Sequence, residues 1–132
     1  MYEKRIEIRW RDIDGICHVN NAVYLTYLEE VRDEWLRSVF GADADVTRYV
    51  IARIEIDYRA QLRPSDGSVI GTCRLGSIGR SSFRSVERIS KLNGELAADA
   101  TCVLVAWERA GRSRPLDDWE LDALARERER TP

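Results

Sequence analysis

The sequence holds a single histidine, His18, and three cysteines, Cys17, Cys73 and Cys102, in 132 residues. One histidine excludes two-histidine metal motifs, and any Ser-His-Asp or Cys-His arrangement would have to pass through it. The cysteines are odd in number, far apart and without a C-x-x-C pair, so they suit neither a disulfide framework nor a zinc site. No metal and no cofactor is expected. An excess of one charge is also missing: 21 basic residues against 23 acidic ones give a net −2. Nucleic-acid binding needs a basic excess or a segregated basic face, so no nucleic-acid partner is expected. No apolar run approaches the roughly 20 residues needed to span a bilayer. The opening Met-Tyr-Glu-Lys-Arg-Ile carries charges where a secretory signal would be apolar, and a cytoplasmic location is expected. With metal and histidine chemistry so restricted, acid–base work by this chain would rest on carboxylates.

What is present is an ordinary globular composition, 44% hydrophobic and 33% charged, at a length that supports one core and one domain, 1–132. Residues 2–10 alternate, with Ile6, Ile8 and Trp10 on the side to be covered, and read as a strand. Residues 11–19 have no helical period and read as a loop. A helix follows from Asn20 or Asn21 to Phe40, because Tyr24, Tyr27, Leu28, Val31, Trp35 and Val39 recur at spacings of three and four. Strands are expected over 50–58, 69–75, 82–92 and 96–107, divided by Pro64-Ser65-Asp66-Gly67 and by the hairpin signal Asn93-Gly94. The last strand is apolar on both faces and belongs inside the sheet. Beyond Pro115, Leu116-Asp117-x-x-Glu120 has the spacing of a capping box opening a short helix, and 117–132 ends in a charged Arg-Glu-Arg-Glu-Arg run expected to fray. One long helix buries a broad face only if an antiparallel sheet curls round it, which makes the fold α+β with five strands.

The loop before the helix is where the residues point to chemistry. Asp14 precedes the N-terminus of a long buried helix, whose unpaired N–H groups and positive dipole end can polarise a carbonyl oxygen. A carboxylate facing that end offers a base or a nucleophile opposite an oxyanion site; as plain turn residues, Asp12 and Asp14 would only fix the loop. His18 serves either as a general acid or, more simply, as a loop histidine hydrogen-bonded to backbone. Cys17 reads as a packing residue, since its only histidine neighbour points to the opposite side of an extended chain. Trp35, Trp107 and Trp119 read as core or interface residues.

The string Arg9-Trp10-Arg11-Asp12-Ile13-Asp14, then His18-Val19-Asn20-Asn21, then Tyr24-Leu25-x-Tyr27-Leu28-Glu29-x-x-Arg32, resembles the signature of hotdog-fold acyl-CoA thioesterases of the 4-hydroxybenzoyl-CoA thioesterase family. Ile56-Asp57-Tyr58, Leu62-Arg63-Pro64-x-Asp66 and Gly79-Arg80-Ser81-Ser82-Phe83 extend the likeness over most of the chain. The resemblance implies a hotdog fold, a long central helix wrapped by a curved five-stranded antiparallel sheet, working as a homodimer or a tetramer of dimers. It implies metal-free hydrolysis of an acyl-CoA or acyl-carrier-protein thioester, with Asp14 as the catalytic carboxylate, the Asn21 backbone N–H as the oxyanion donor and Asp12 as support. His18 then lies against substrate, and Arg80, Ser81 and Ser82 lie near the CoA phosphates. Cys17 departs from the family, which usually has Gly at that position, and this bears on the turn and on pocket size. The alternative of another class is a hotdog module that binds acyl-CoA without turning it over; a dehydratase of the same fold is disfavoured by the single histidine.

Overall fold

The computed structural model describes residues 1–130. In chain order it comprises β1 (Tyr2–Glu7), α1 (Asn21–Phe40), β2 (Tyr49–Tyr58), β3 (Ser68–Ile78), β4 (Ser82–Lys91), β5 (Leu96–Glu108), the two-residue β6 (Arg112–Ser113) and α2 (Asp118–Arg130). The main sheet is antiparallel in the order β1-β3-β4-β5-β2, with β6 paired to the end of β5. It curls as a half-barrel around α1, the α+β arrangement expected from the sequence.

α1 is 20 residues long, about 30 Å at a rise of roughly 1.5 Å per residue. Asn20 caps it, accepting from the Ala22 N–H at 2.9 Å, and Gly41 follows with a positive φ of 115°. The expected face is the buried one: Tyr24, Tyr27, Leu28, Val31, Trp35, Leu36 and Val39 all turn inward. The core divides along the helix. Near its start, Tyr27 and Leu28 pack with Leu62, Val69 and Ile89; near its end, Trp35 and Leu36 pack with Phe83, Leu104 and Leu124. Helix and sheet approach closely at Gly71, where an added Cβ would sit 3.3 Å from two carbons of Val31.

Two expectations are corrected here. The first strand stops at Glu7, and Trp10, expected on the covered side, is 92% exposed. Residues 10–12 instead form a short helical turn closed by the Asp12 carboxylate, which accepts the Arg9 N–H at 2.9 Å; that turn breaks the two-residue alternation. The charged run at 126–130 does not fray but belongs to α2. It is held because Glu127 is buried and accepts the Trp35 indole N–H at 3.3 Å. Residues 131 and 132 of the expected tail lie outside the described residues. Half of the expected capping box forms: Glu120 Oε1 accepts the Asp117 N–H at 2.8 Å, while the Asp117 carboxylate turns to Arg48 at 3.1 Å.

Candidate active site

The loop from Ile13 to Val19 is pinned at both ends. Ile13 and Val19 form an isolated antiparallel bridge, and the Val19 N–H donates to the Leu62 carbonyl at 2.8 Å. Asp12 anchors the loop from below. Its buried carboxylate accepts the Tyr27 hydroxyl at 2.6 Å, and its backbone carbonyl accepts the Asn20 N–H at 2.9 Å. Burial, reinforced by that anionic partner, pushes the Tyr27 phenol up, so it remains a donor. One buried carboxylate therefore fixes the entry to the helix.

Asp14, two residues on, is left available. Its N–H donates to the His18 carbonyl at 3.0 Å and its Oδ1 accepts the Ile16 N–H at 3.1 Å. Among the described residues no hydrogen bond engages Oδ2. Cys17, at the tip of the turn, has a φ of +59°, a left-handed conformation that costs an L-residue and suits glycine. Cys17 is also exposed, which corrects the expectation of a packing residue: at the tip of the turn its thiol has no core to enter.

Asp14, His18 and Asn21 line one cavity of about 410 Å³, with Tyr24, Tyr58 and Ala60 also in its wall. Asn21 is the first residue of α1, so its N–H has no carbonyl one turn earlier to bond to. Among the described residues it makes no hydrogen bond, and it stands at the positive end of a 20-residue helix. The expected carboxylate and oxyanion donor thus share one hollow. The His18 imidazole makes no hydrogen bond among the described residues. The loop is oriented by its backbone carbonyl, which corrects the expectation of a side-chain bond.

Two tyrosines carry more of this site than the sequence suggested. The Tyr24 hydroxyl donates to the Ala60 carbonyl and accepts the Leu62 N–H, both at 3.0 Å, and its ring meets Tyr58 edge-on at 5.1 Å. The Tyr58 hydroxyl donates to the Asn21 carbonyl at 3.0 Å. Together they clamp the end of β2 to the start of α1. Helical spacing marked Tyr24 as a core residue; the family-like strings Tyr24-Leu25-x-Tyr27 and Ile56-Asp57-Tyr58 contain both tyrosines and were the available signal.

Arg80, Ser81 and Ser82 do not join this cavity. Their turn is tied to the other end of the sheet: the Ser81 carbonyl accepts the Ala106 N–H at 2.8 Å and the Arg80 carbonyl accepts the Leu116 N–H at 2.9 Å. The Asp14 cavity adjoins Ala60, whose N–H bonds the Ala97 carbonyl. Along β5, Ala97 and Ala106 are about 30 Å apart. Within one chain, Arg80 and Asp14 are therefore at opposite ends.

Among the described residues no group of three or more His, Cys, Asp or Glu side chains is placed to hold a metal ion. No helix among them is long and apolar enough to cross a membrane.

The Thioesterase-like superfamily model matches residues 8–124. The long-chain acyl-CoA thioesterase FadM of Escherichia coli is 33% identical over 107 residues, covering 78% of this chain and 80% of that protein. Among solved structures, a Thermus thermophilus thioesterase complexed with coenzyme A and zinc superposes with a TM-score of 0.88 at 32% identity, covering 99% of this chain and 96% of that one. A predicted thioesterase from Bacillus stearothermophilus gives 0.85 at 27% identity, covering 96% and 95%. With its curled sheet around one long helix and a family match over most of its length, the chain belongs to the thioesterase-like superfamily of hotdog-fold hydrolases.

Proposed function

We propose that this thioesterase cleaves acyl-CoA thioesters in the Asp14–Asn21 cavity. The observation that carries this reading is the pairing, in one hollow, of a carboxylate oxygen and a helix-start N–H that have no hydrogen-bond partner among the described residues. The Asn21 N–H holds the carbonyl oxygen as it gains charge. Asp14 takes a proton from water, which attacks the carbonyl carbon, or attacks that carbon itself to give an anhydride that water opens. The C–S bond breaks and the thiolate leaves. Because a thiol has a pKa near 8.5, it departs without a strong acid, and His18 serves as wall rather than proton donor.

The unit that acts is a homodimer in this reading, or a tetramer built from dimers. β2 is an edge strand, with Val50, Ile51 and Tyr58 exposed, and proteins seldom leave such an edge uncovered. Antiparallel pairing of two β2 strands about their middle lays the Tyr49 end of one against the Tyr58 end of the other. That carries the Arg80 turn of one protomer toward the Asp14 cavity of its partner, where the guanidinium suits a CoA phosphate and Ser81 and Ser82 add hydroxyl donors. A CoA thioester is the preferred carrier over an acyl-carrier protein for this reason. Each protomer contributes its single domain, 1–132, to this site. Three free cysteines, Cys17, Cys73 and Cys102, suit a reducing compartment such as the cytoplasm.

Thiol release from a panel of acyl-CoAs, measured on the wild type and on Asp14→Asn, tests the assignment. Release that depends on Asp14 supports it. Tight CoA binding without any release would favour the non-catalytic module.

A further inference from the structure

Of the first three N–H groups of α1, two are already taken. Asn20 accepts the Ala22 N–H through its side chain and the Val23 N–H through its carbonyl, both at 2.9 Å. Of these three, only the Asn21 N–H is left for a substrate among the described residues, so the place of that one residue decides where a thioester carbonyl sits. Helix ends fray, and the first residue has no preceding turn to hold it.

Tyr58 supplies a hold. Its hydroxyl donates to the Asn21 carbonyl at 3.0 Å, and among the described residues no other side chain bonds Asn21. The tyrosine closes β2 in alternation with Ile54 and Ile56, which pack against the core near the start of α1. Its ring is braced in turn: it meets Tyr24 edge-on at 5.1 Å, and the Tyr24 hydroxyl is bonded to both Ala60 and Leu62. The backbone just beyond Tyr58 is fastened to β5, because the Arg59 and Ala60 N–H groups both donate to the Ala97 carbonyl, at 2.8 and 3.1 Å. A connected series of contacts therefore runs from the sheet to the residue with the unpaired N–H.

Stability is a weak reason for this hydroxyl. Tyr58 is 46% exposed, so water can take its place on the carbonyl, and a helical carbonyl already accepts the N–H of the fourth residue on. Water cannot fix that carbonyl at one point relative to the sheet. A reacting group misplaced by about 1 Å can cost about a hundredfold in rate.

We propose that Tyr58 is a positioning residue for the chemical step: its hydroxyl, bonded to the Asn21 carbonyl, holds the Asn21 N–H where the thioester oxygen gains charge. This rests on the reading that Asn21 is the oxyanion donor. Tyr58 acts through Asn21 on kcat and leaves substrate affinity alone.

Phenylalanine keeps the ring, its contact with Tyr24 and its place in the cavity wall, so Tyr58→Phe removes the hydroxyl bond alone. The test measures kcat and KM of this variant on the most active substrate of an acyl-CoA panel, and the infrared stretch of a bound carbonyl. The probe is the ketone analogue of decanoyl-CoA in which a methylene replaces the thioester sulfur, isotopically labelled at the carbonyl carbon. In the wild type, a directed hydrogen bond should lower the carbonyl stretch of the bound probe below its value in water. Tyr58→Phe should lower kcat about ten- to a hundredfold with KM within about twofold, and the stretch should return most of the way to its value in water. Glu120→Gln, which loosens the buried Arg114–Glu120 network at the far end of α1, is the control and should leave the stretch where the wild type has it. A wild-type shift that survives in Tyr58→Phe with kcat unchanged overturns the role of Tyr58 alone. A rise in KM at constant kcat also overturns it, because the hydroxyl then serves binding. An equal loss of shift in Glu120→Gln does the same, because loosening the fold is then enough. A probe whose carbonyl stretches in the wild type as it does in water overturns the Asn21 reading itself.

Discussion

The two ends of α1 each carry a carboxylate cluster, and they differ in what is left over. At the far end, Glu120 is fully buried and wholly used. It accepts both arms of Arg114, at 2.7 and 3.1 Å, the Tyr49 hydroxyl and the Asp117 N–H. Burial alone would raise its pKa, but those four donors hold it at about 2. At the near end the work is divided: Asp12 is buried and committed, whereas Asp14 sits half-exposed at a cavity with one oxygen free among the described residues. A carboxylate whose lone pairs are all engaged has nothing to offer a substrate. The contrast separates acids that hold the fold from the one left available to a substrate, without reference to sequence position.

The largest effect expected on activity is that of Asp14→Asn. Asparagine keeps the size and the hydrogen bond from the Ile16 N–H but cannot act as a base, so kcat should fall by about 10²–10⁴, more if Asp14 is the nucleophile. Thermal unfolding should barely change. Retention of more than about a tenth of kcat would sink the assignment. Asp12→Asn is the counterpart, losing charge-assisted bonds worth about 1.5–3 kcal/mol and lowering Tm more than kcat.

Glu120→Gln should do the opposite of Asp14→Asn. Breaking a buried, charged network should cost about 3 kcal/mol, roughly 10 °C in Tm, with kcat per folded molecule unchanged. The pH dependence has a definite direction. The folded-state pKa of Glu120, about 2, lies below its ordinary 4.5. Its stabilisation is therefore fully present above 4.5 and is lost as pH falls from there through 2, on the order of 3 kcal/mol in all. Acid titration of Tm should show this loss in the wild type and a flatter curve in Glu120→Gln; parallel curves would refute it.

Arg80→Ala should raise KM for acyl-CoA by about ten- to a hundredfold, the worth of one charge-assisted phosphate contact, and leave kcat nearly intact. Because Arg80 and Asp14 lie at opposite ends of one chain, mixing Arg80→Ala with Asp14→Asn should restore activity. A mixed dimer contains one site with both residues native. No recovery on mixing, with subunit exchange verified, would break the two-protomer site.

The smallest effect is expected at the tip of the loop. Cys17→Gly relieves a left-handed conformation costing about 1–2 kcal/mol but frees the unfolded chain by about 0.5–1 kcal/mol. The net gain in stability should be under about 1 kcal/mol. A loss in Tm would show that the thiol is held by packing that outweighs the strain.

Much of this was legible in the chain itself. The three-and-four spacing from Tyr24 to Val39 fixes α1 and its buried face, because a helix returns to the same side every 3.6 residues whatever it packs against. Alternation and the Asn93-Gly94 turn set the strands, and the order of short motifs from Arg9 to Phe83 pointed to the family and to Asp14 and Asn21. Tertiary structure decided the rest. Trp10 left its covered face because Asp12 closed a turn beneath it, and the charged run at 126–130 became helix because Glu127 found Trp35, 92 residues away in sequence. The Tyr24–Tyr58 clamp and the separation of Arg80 from the cavity depend on contacts between distant segments. Periodicity encodes which way a side chain faces along its own element; which partner it meets there is settled only when the sheet has closed on the helix.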